Sequence, residues 1–314
     1  MIEGHPRYEK TPFPFLFPGM AMPPFVNKIL CIFAILCIQI LIYGFWVRPL
    51  ITTWGATGEE ARMPLPGDEL AYSISSTRAI TIQASSEKVW DCLIRLGADR
   101  GGFFSYSFIE ELLGYEKDGN GTDDSTNLTF EVGRVIPASM DESKSFIKYR
   151  FPVVYVEKGK AFVLENWGTF FLEQMDRDPT RLIVRTHWKE TPTLASKIGE
   201  FIEVPMHYLM ERRMLMGIQM QVEDEDALKD QYTRDRIWFA GVLLSGVGIF
   251  LLICVSKGIQ DLWLPSFLAI AWLWPLLVLD PEPLPPMILL LLVLAALGGK
   301  LRKRNRGRNP ATIQ

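Results

Sequence analysis

Cysteine and histidine are scarce in this chain, four of one and three of the other among 314 residues. The cysteines (Cys31, Cys37, Cys92, Cys254) are scattered, three of them in apolar runs, so they build no disulfide scaffold. There is no CxxC pair and no Cys/His cluster at zinc spacing. Charge is missing over long stretches. Residues 29–47 carry none, and residues 237–299 carry one basic side chain against three acidic ones. Basic charge is also short in the middle: residues 51–236 hold 22 Lys/Arg against 31 Asp/Glu, net −9. An acidic middle argues against nucleic-acid binding, which needs Lys/Arg to neutralise phosphates. Two phosphate and metal motifs fail as well. Gly97-Ala-Asp-Arg-Gly-Gly102 lacks the Gly-Lys-Ser/Thr ending of a P-loop and follows no strand, so it reads as a tight link between helices. Asp118–Asp124 has Asp123 where a calcium loop needs glycine and Thr129 where it needs glutamate, so it reads as a solvated loop. No internal repeat is visible, and no residue set calls for a cofactor.

Apolar runs are what the chain does have. Residues 29–47 form a 19-residue uncharged run. At about 1.5 Å per residue it matches the hydrocarbon thickness of a bilayer. It is long for a signal peptide, lacks an A-x-A site and has some 28 residues before it, so a retained anchor is expected. Residues 237–256, 262–279 and 284–299 are three further candidate spans. The third run contains Pro265 and Pro275, and a kink is expected at Pro275. The fourth is short and opens on Pro285 and Pro286. Four spans are expected, with three plus a re-entrant piece as the alternative. The tail, residues 300–314, carries six basic and no acidic side chains. By the positive-inside bias it stays cytoplasmic, which places both termini inside and residues 51–236 outside. Arg7, Lys10 and Lys28 agree; Arg234 and Arg236 do not.

Residues 1–28 are a leader whose Pro/Phe-rich part, Thr11–Phe25, is expected to be extended rather than helical. Residues 51–223 read as a folded domain and residues 224–236 as a charged joint. Within the domain, Thr81–Ala84 reads as a strand, and Ser85 or Ser86 caps a helix burying Val89, Trp90, Leu93 and Leu96. A second short helix spans Ser105–Leu113, and Lys117–Asn127 reads as a loop. Strand-like segments follow at Leu128–Ile136, Phe146–Phe151, Val153–Glu157, Ala161–Glu165, Thr169–Met175 and Arg181–Glu190. Asn166–Gly168 and Asp176–Thr180 are the turns. On the last strand Leu182, Val184, Thr186 and Trp188 share a face opposite Arg181, Arg185, His187 and Lys189. A final helix is expected from Pro205 to about Val222. This is an α+β order, and a curved antiparallel sheet closing on a long terminal helix leaves a hollow between them.

Several segments carry a family resemblance: Trp54-Gly-Ala-Thr with Pro64-Leu-Pro-Gly-Asp-Glu69, Arg78-Ala-Ile-Thr-Ile with Val89-Trp90, Leu96–Tyr106 with Glu110-Glu-Leu-Leu-Gly114, Thr180–Arg185 and Met210–Gly217. Over roughly Trp54–Glu223 the chain resembles the START/polyketide-cyclase-like (SRPBCC) superfamily, in its membrane-anchored bacterial branch. The resemblance implies the helix-grip fold and an apolar cavity for lipids, sterols or polyketides. It carries over no catalytic set. The C-terminal spans depart from the simple version of that branch.

Candidate pocket residues follow. Met206, Met210, Met214 and Ile218 line one side of the last helix, and adaptable methionine side chains suit a lipophilic wall as well as an ordinary core. Trp188 lies on the inner face of the last strand. Arg100 could pair with Glu110 or Glu111, or bind a ligand carboxylate or phosphate at a cavity mouth. Tyr106 and Tyr115 could place hydroxyls at a rim. His187 is the strand histidine a general base would need, but the alternation turns it to solvent. His207 faces either way. The expected function is binding of a lipid or other hydrophobic small molecule, for transfer or presentation, by a membrane-tethered domain. A cyclase/dehydrase-like enzyme is the second reading and needs Arg100, Tyr106, Glu110 or His187 to converge. A sensor or interaction module docking a membrane-protein partner through the C-terminal helices is the third.

Overall fold

The computed structural model describes residues 24–112, 130–139, 150–175, 179–188, 193–256 and 259–306. An apolar helix leads. α1 (Pro24–Ile42) passes into a π-helical turn (Tyr43–Val47) and then α2 (Arg48–Thr52). Pro24 takes the first helical position, where a missing N–H is no loss. Pro24 and Phe25 therefore belong to the helix, not to the extended leader expected for them.

A strap of turns over residues 54–70 leads into the sheet. The elements are β1 (Ser73–Ile82), α3 (Ser86–Leu93), α4 (Ser107–Leu112), β2 (Val135–Pro137), β3 (Arg150–Glu157), β4 (Ala161–Leu164), β5 (Gly168–Gln174) and β6 (Thr180–Trp188). The six strands lie in the order β1-β6-β5-β4-β3-β2, antiparallel at every pairing. This is an α+β architecture. β1 begins eight residues earlier than its sequence signal, because Ser73–Arg78 are held by pairing with Val184–Trp188 rather than by hydrophobicity. Two expected strands merge into β3, where Pro152 marks no break: the register shifts between Val153 and Tyr155 instead. β2 is only three residues long, shorter than the expected Leu128–Ile136. Ser85 occupies the N-cap of α3 without bonding through its side chain; the Ser86 N–H instead donates to Gln174 Oε1 of β5 at 2.8 Å. Tyr115, the Lys117–Asn127 loop and the calcium-loop-like Asp118–Asp124 lie outside the described residues.

Over Arg181–His187 the alternation along β6 places its two faces as expected, but the strap covers the outer one; Lys189 and the Trp188 side chain lie outside what is described. Arg181 Nε donates to Glu60 Oε1 at 2.6 Å, and Arg185 donates to Asp68 Oδ2 (2.7 Å), Met63 O (2.7 Å) and Glu60 O (2.8 Å). The strap supplies carboxylates and carbonyls, so both guanidiniums are paired, Arg185 buried and Arg181 half-buried. His187 lies under the same strap, its Nε2 3.3 Å from Asp68 Oδ1, which corrects its expected place in solvent.

Two long helices follow. α5 (Leu194–Glu223) starts eleven residues before Pro205, which sits inside it. A proline there gives no hydrogen bond to the carbonyl four residues back. The helix continues because Val204 and Tyr208 are clamped against Tyr43, Val47, Ile51 and Leu277. α6 (Glu225–Val255) begins at Asp224, whose carboxylate accepts from the N–H groups of Asp226 (3.1 Å) and Ala227 (3.3 Å). The expected charged joint at 224–236 is thus the first turns of a helix. α7 (Trp263–Leu273), a π-helical turn (Trp274–Val278) at the anticipated Pro275, and α8 (Leu284–Arg306) complete the chain. The basic residues up to Arg306 continue α8 as helix.

Three helices are long and apolar enough to cross a membrane: Ile32–Thr52, Glu225–Val255 and Leu284–Arg304; Trp263–Val278 is a shorter apolar helix. At one end of this group Arg234 pairs with Glu282, and Gln231 Nε2 donates to Pro281 O. At the other end Lys300 Nζ donates to Ser256 Oγ (2.6 Å) and Asp261 O (3.0 Å). α6, α7 and α8 therefore run alternately up and down.

Candidate functional site

The inner face of the sheet, α3 and the second half of α5 share one core. Aromatic side chains meet across it. Phe162 stacks on Phe170 at 4.7 Å, Trp90 meets Phe162 edge-on at 5.9 Å, and Trp167 lies 5.0 Å from Phe151. Met214, Leu215 and Ile218 are buried among these rings. Where a hollow is expected, the described residues are packed against one another.

The methionine stripe passes through three environments, because a 30-residue helix of about 45 Å outruns the sheet it backs. Met206 is exposed. Met210 is half-buried, and its carbonyl accepts from Ser105 Oγ at 2.9 Å. Met214 and Ile218 lie in the domain core. Tyr106 is buried beside α6, its ring stacked on Trp238 at 5.5 Å. Burial pushes its phenol well above the usual tyrosine range, and its hydroxyl, close to Arg212, has no hydrogen-bond partner among the described residues. Glu110 is buried one turn on, its N–H donating to Tyr106 O at 3.0 Å. Arg100 serves its own link: it donates to Ile94 O at 3.0 Å and lies 4.0 Å from Asp99. Gly97 and Gly102 close that link by exchanging backbone hydrogen bonds at 3.1 and 2.9 Å. Trp188 ends β6, opposite Ser73. Arg100, His187 and the Tyr106/Glu110 pair thus stand on separate parts of the fold.

A polar cluster unmarked by the sequence reading lies where β6, the β4–β5 turn and α5 meet. The buried Glu211 carboxylate accepts from Arg78 Nη1 (2.7 Å), Trp167 Nε1 (3.1 Å) and Thr186 Oγ1 (3.1 Å), with His207 Nε2 at 3.5 Å. Burial pushes this carboxyl up, but Arg78, His207 and the hydrogen bonds from Arg78 and Trp167 outweigh it and hold it below the usual range. Arg78 Nε also donates to Ile51 O at 2.8 Å, which ties the sheet to the end of the first apolar helix. The next two residues reach the other apolar helices. Arg212 Nη1 donates to Leu279 O at 2.7 Å, and Arg213 Nε donates to Asp235 Oδ2 at 2.7 Å. Tyr208 lies between Arg78 and Arg212, its ring centroid 5.2 Å from one guanidinium and 4.9 Å from the other. The available signal was Glu-Arg-Arg set inside a methionine-rich helix: three adjacent charges cannot all point to water once that helix is surrounded.

Among the described residues, no group of three or more His, Cys, Asp or Glu side chains could hold a metal ion. Burial pushes the Cys92 thiol up to about 12, so it holds its proton and makes a poor nucleophile. An apolar cleft of about 400 Å³ opens between α1, α6 and α7, lined by Gln39, Leu243, Gly246, Val247, Ile249, Phe250, Ala269 and Trp272. The Trp272 indole is fixed by donating to Val242 O at 2.8 Å. No protein-family model, curated protein or solved structure matches the chain.

Proposed function

We propose that this chain is an integral membrane protein that binds a lipid or other hydrophobic small molecule, with a START-like, helix-grip domain held on the bilayer by four spans. The cleft between α1, α6 and α7 carries the reading. Its volume of about 400 Å³ falls within the range of small-molecule sites, and its walls are apolar apart from Gln39. The rings between sheet and α5 leave this cleft as the better berth for an acyl chain. Four spans are supported by the alternating run of α6, α7 and α8, and the basic end of α8 supports cytoplasmic termini with the domain extracytoplasmic.

Native mass spectrometry of the detergent-purified protein, with lipidomics of what it retains, tests the reading. A Cβ at residue 246 would lie 3.3 Å from the Trp272 ring, so Gly246→Leu fills the cleft and is expected to strip the retained molecule. Retention by Gly246→Leu, with loss on changing Met210 and Met214 to Trp, would move the berth into the domain. A wild-type protein carrying nothing would end the proposal.

A further inference from the structure

The first turns of α5 lie beyond the sheet and present an apolar face that none of the described residues covers. Leu194, Ile198, Ile202 and Met206 recur every fourth residue and are each 60–78% exposed. That spacing gathers them on one slowly turning stripe. Another side of the same turns is firmly placed. Phe201 meets the Tyr43 ring edge-on at 4.6 Å, Glu200 pairs with Arg48, and Val204 is buried against Tyr43, Val47 and Leu277. The stripe is therefore fixed beside the Tyr43–Arg48 stretch, at the domain end of the first apolar helix. Phe45 and Trp46 point outward from that same stretch. Exposed aromatic residues next to an arginine at the end of an apolar helix mark the headgroup level of a bilayer.

We infer that Leu194–Met206 is an interfacial helix, lying in the boundary between phospholipid headgroups and acyl chains with its four-residue stripe turned into the lipid. Lys197, Glu200 and Glu203 leave that stripe for the polar side, as such helices require. Because α5 is one continuous helix, the same rod that enters the boundary layer carries Glu211, Met214 and Ile218 into the sheet. The inference rests on the proposal that α1, α6 and α8 span a bilayer.

The full-length chain, with its native cysteines replaced by alanine, would be reconstituted in phosphatidylcholine/phosphatidylglycerol vesicles carrying one fluorophore per variant. The label sites are Ile198→Cys and Ile202→Cys on the stripe, Leu291→Cys on the outer side of α8, and Glu87→Cys on the exposed side of α3. All four are solvent- or lipid-facing, so the fold tolerates the label. Labels at 198 and 202 should be quenched by shallow spin-labelled lipid, and iodide quenching there should be weaker than at 87 by on the order of tenfold. Iodide quenching at 198 and 202 equal to that at 87, with 291 still protected, overturns the inference and leaves the spans standing. Iodide access at 291 as well overturns both.

Discussion

Glu211 cannot be removed without stranding a neighbour. Arg78 is buried and makes its one ion pair among the described residues with this carboxylate. Glu211→Ala is expected to cost about 3–5 kcal/mol, the toll for leaving a buried charge alone, whereas joint replacement by Arg78→Met and Glu211→Leu should cost much less. Denaturant unfolding followed by tryptophan fluorescence in detergent measures both. Protons act on the same scale. Burial holds His187 and His207 below the ordinary value of 6.5. The unfolded chain thus takes up protons first as pH falls, so stability drops below about 6.5 until the folded values are reached and then levels off for these two groups. Melting temperature against pH should show this fall, flattened in His187→Gln and in His207→Gln. Glu211 acts later: its contribution is present above the ordinary carboxylate value and is lost only as pH drops through its lowered folded value. Periodicity put Met206, Met210, Met214 and Ile218 on one side of α5, but could not tell that only Met214 and Ile218 enter the core. Glu211 was not legible, because its partner Arg78 is 133 residues away and a charge in a helix reads as a solvated face. His187 was read on the correct side of β6, but no local pattern announces that a strap from residues 54–70 covers that side.

Among the elements, α5 is the one on which the others depend, and its closest approach is at Gly217. A Cβ there would lie 2.0 Å from Phe104 O. Phe104 itself is held at a φ of +56°, and its carbonyl accepts from Arg213 Nη1 at 3.2 Å. Gly217→Ala must push the helix off this loop; a loss of about 1–3 kcal/mol is expected, with loosening of the Arg213–Asp235 pair. Unfolding midpoints check the energy, and a double-mutant cycle with Asp235→Asn checks the coupling. The end of α5 was read to within a residue, because its periodicity stops there. Its start was misplaced, since proline is a good marker of a helix beginning only where no outside packing carries the helix past it. β1 was missed over eight of its ten residues for the converse reason: Ser73–Thr77 hold little apolar signal, and β6 supplies the order.

At the scale of the whole molecule the apolar runs were the clearest message in the sequence, because crossing hydrocarbon demands length and lack of charge together. Their boundaries were less clear, since α6 and α8 extend as helix well into charged sequence. Four spans place both ends of the chain on one side of the membrane, and three place them on opposite sides. In sealed vesicles of known orientation, tags at both termini are expected to be shielded from added protease while the domain is cut. Opposite fates for the two tags would return the count to three.

The first apolar helix ends at Thr52, and the carbonyl of Ile51 is already in the grip of Arg78. The domain is thus mounted on a mast rather than moored by a rope. With the first apolar helix spanning a bilayer as proposed, helical geometry would set the height and heading of the domain above the lipid, and a ligand would have to reach it along the bilayer. A run of glycine and serine inserted after Thr53 would turn the mast into a rope, and any task that depends on fixed reach should fail while the domain stays folded.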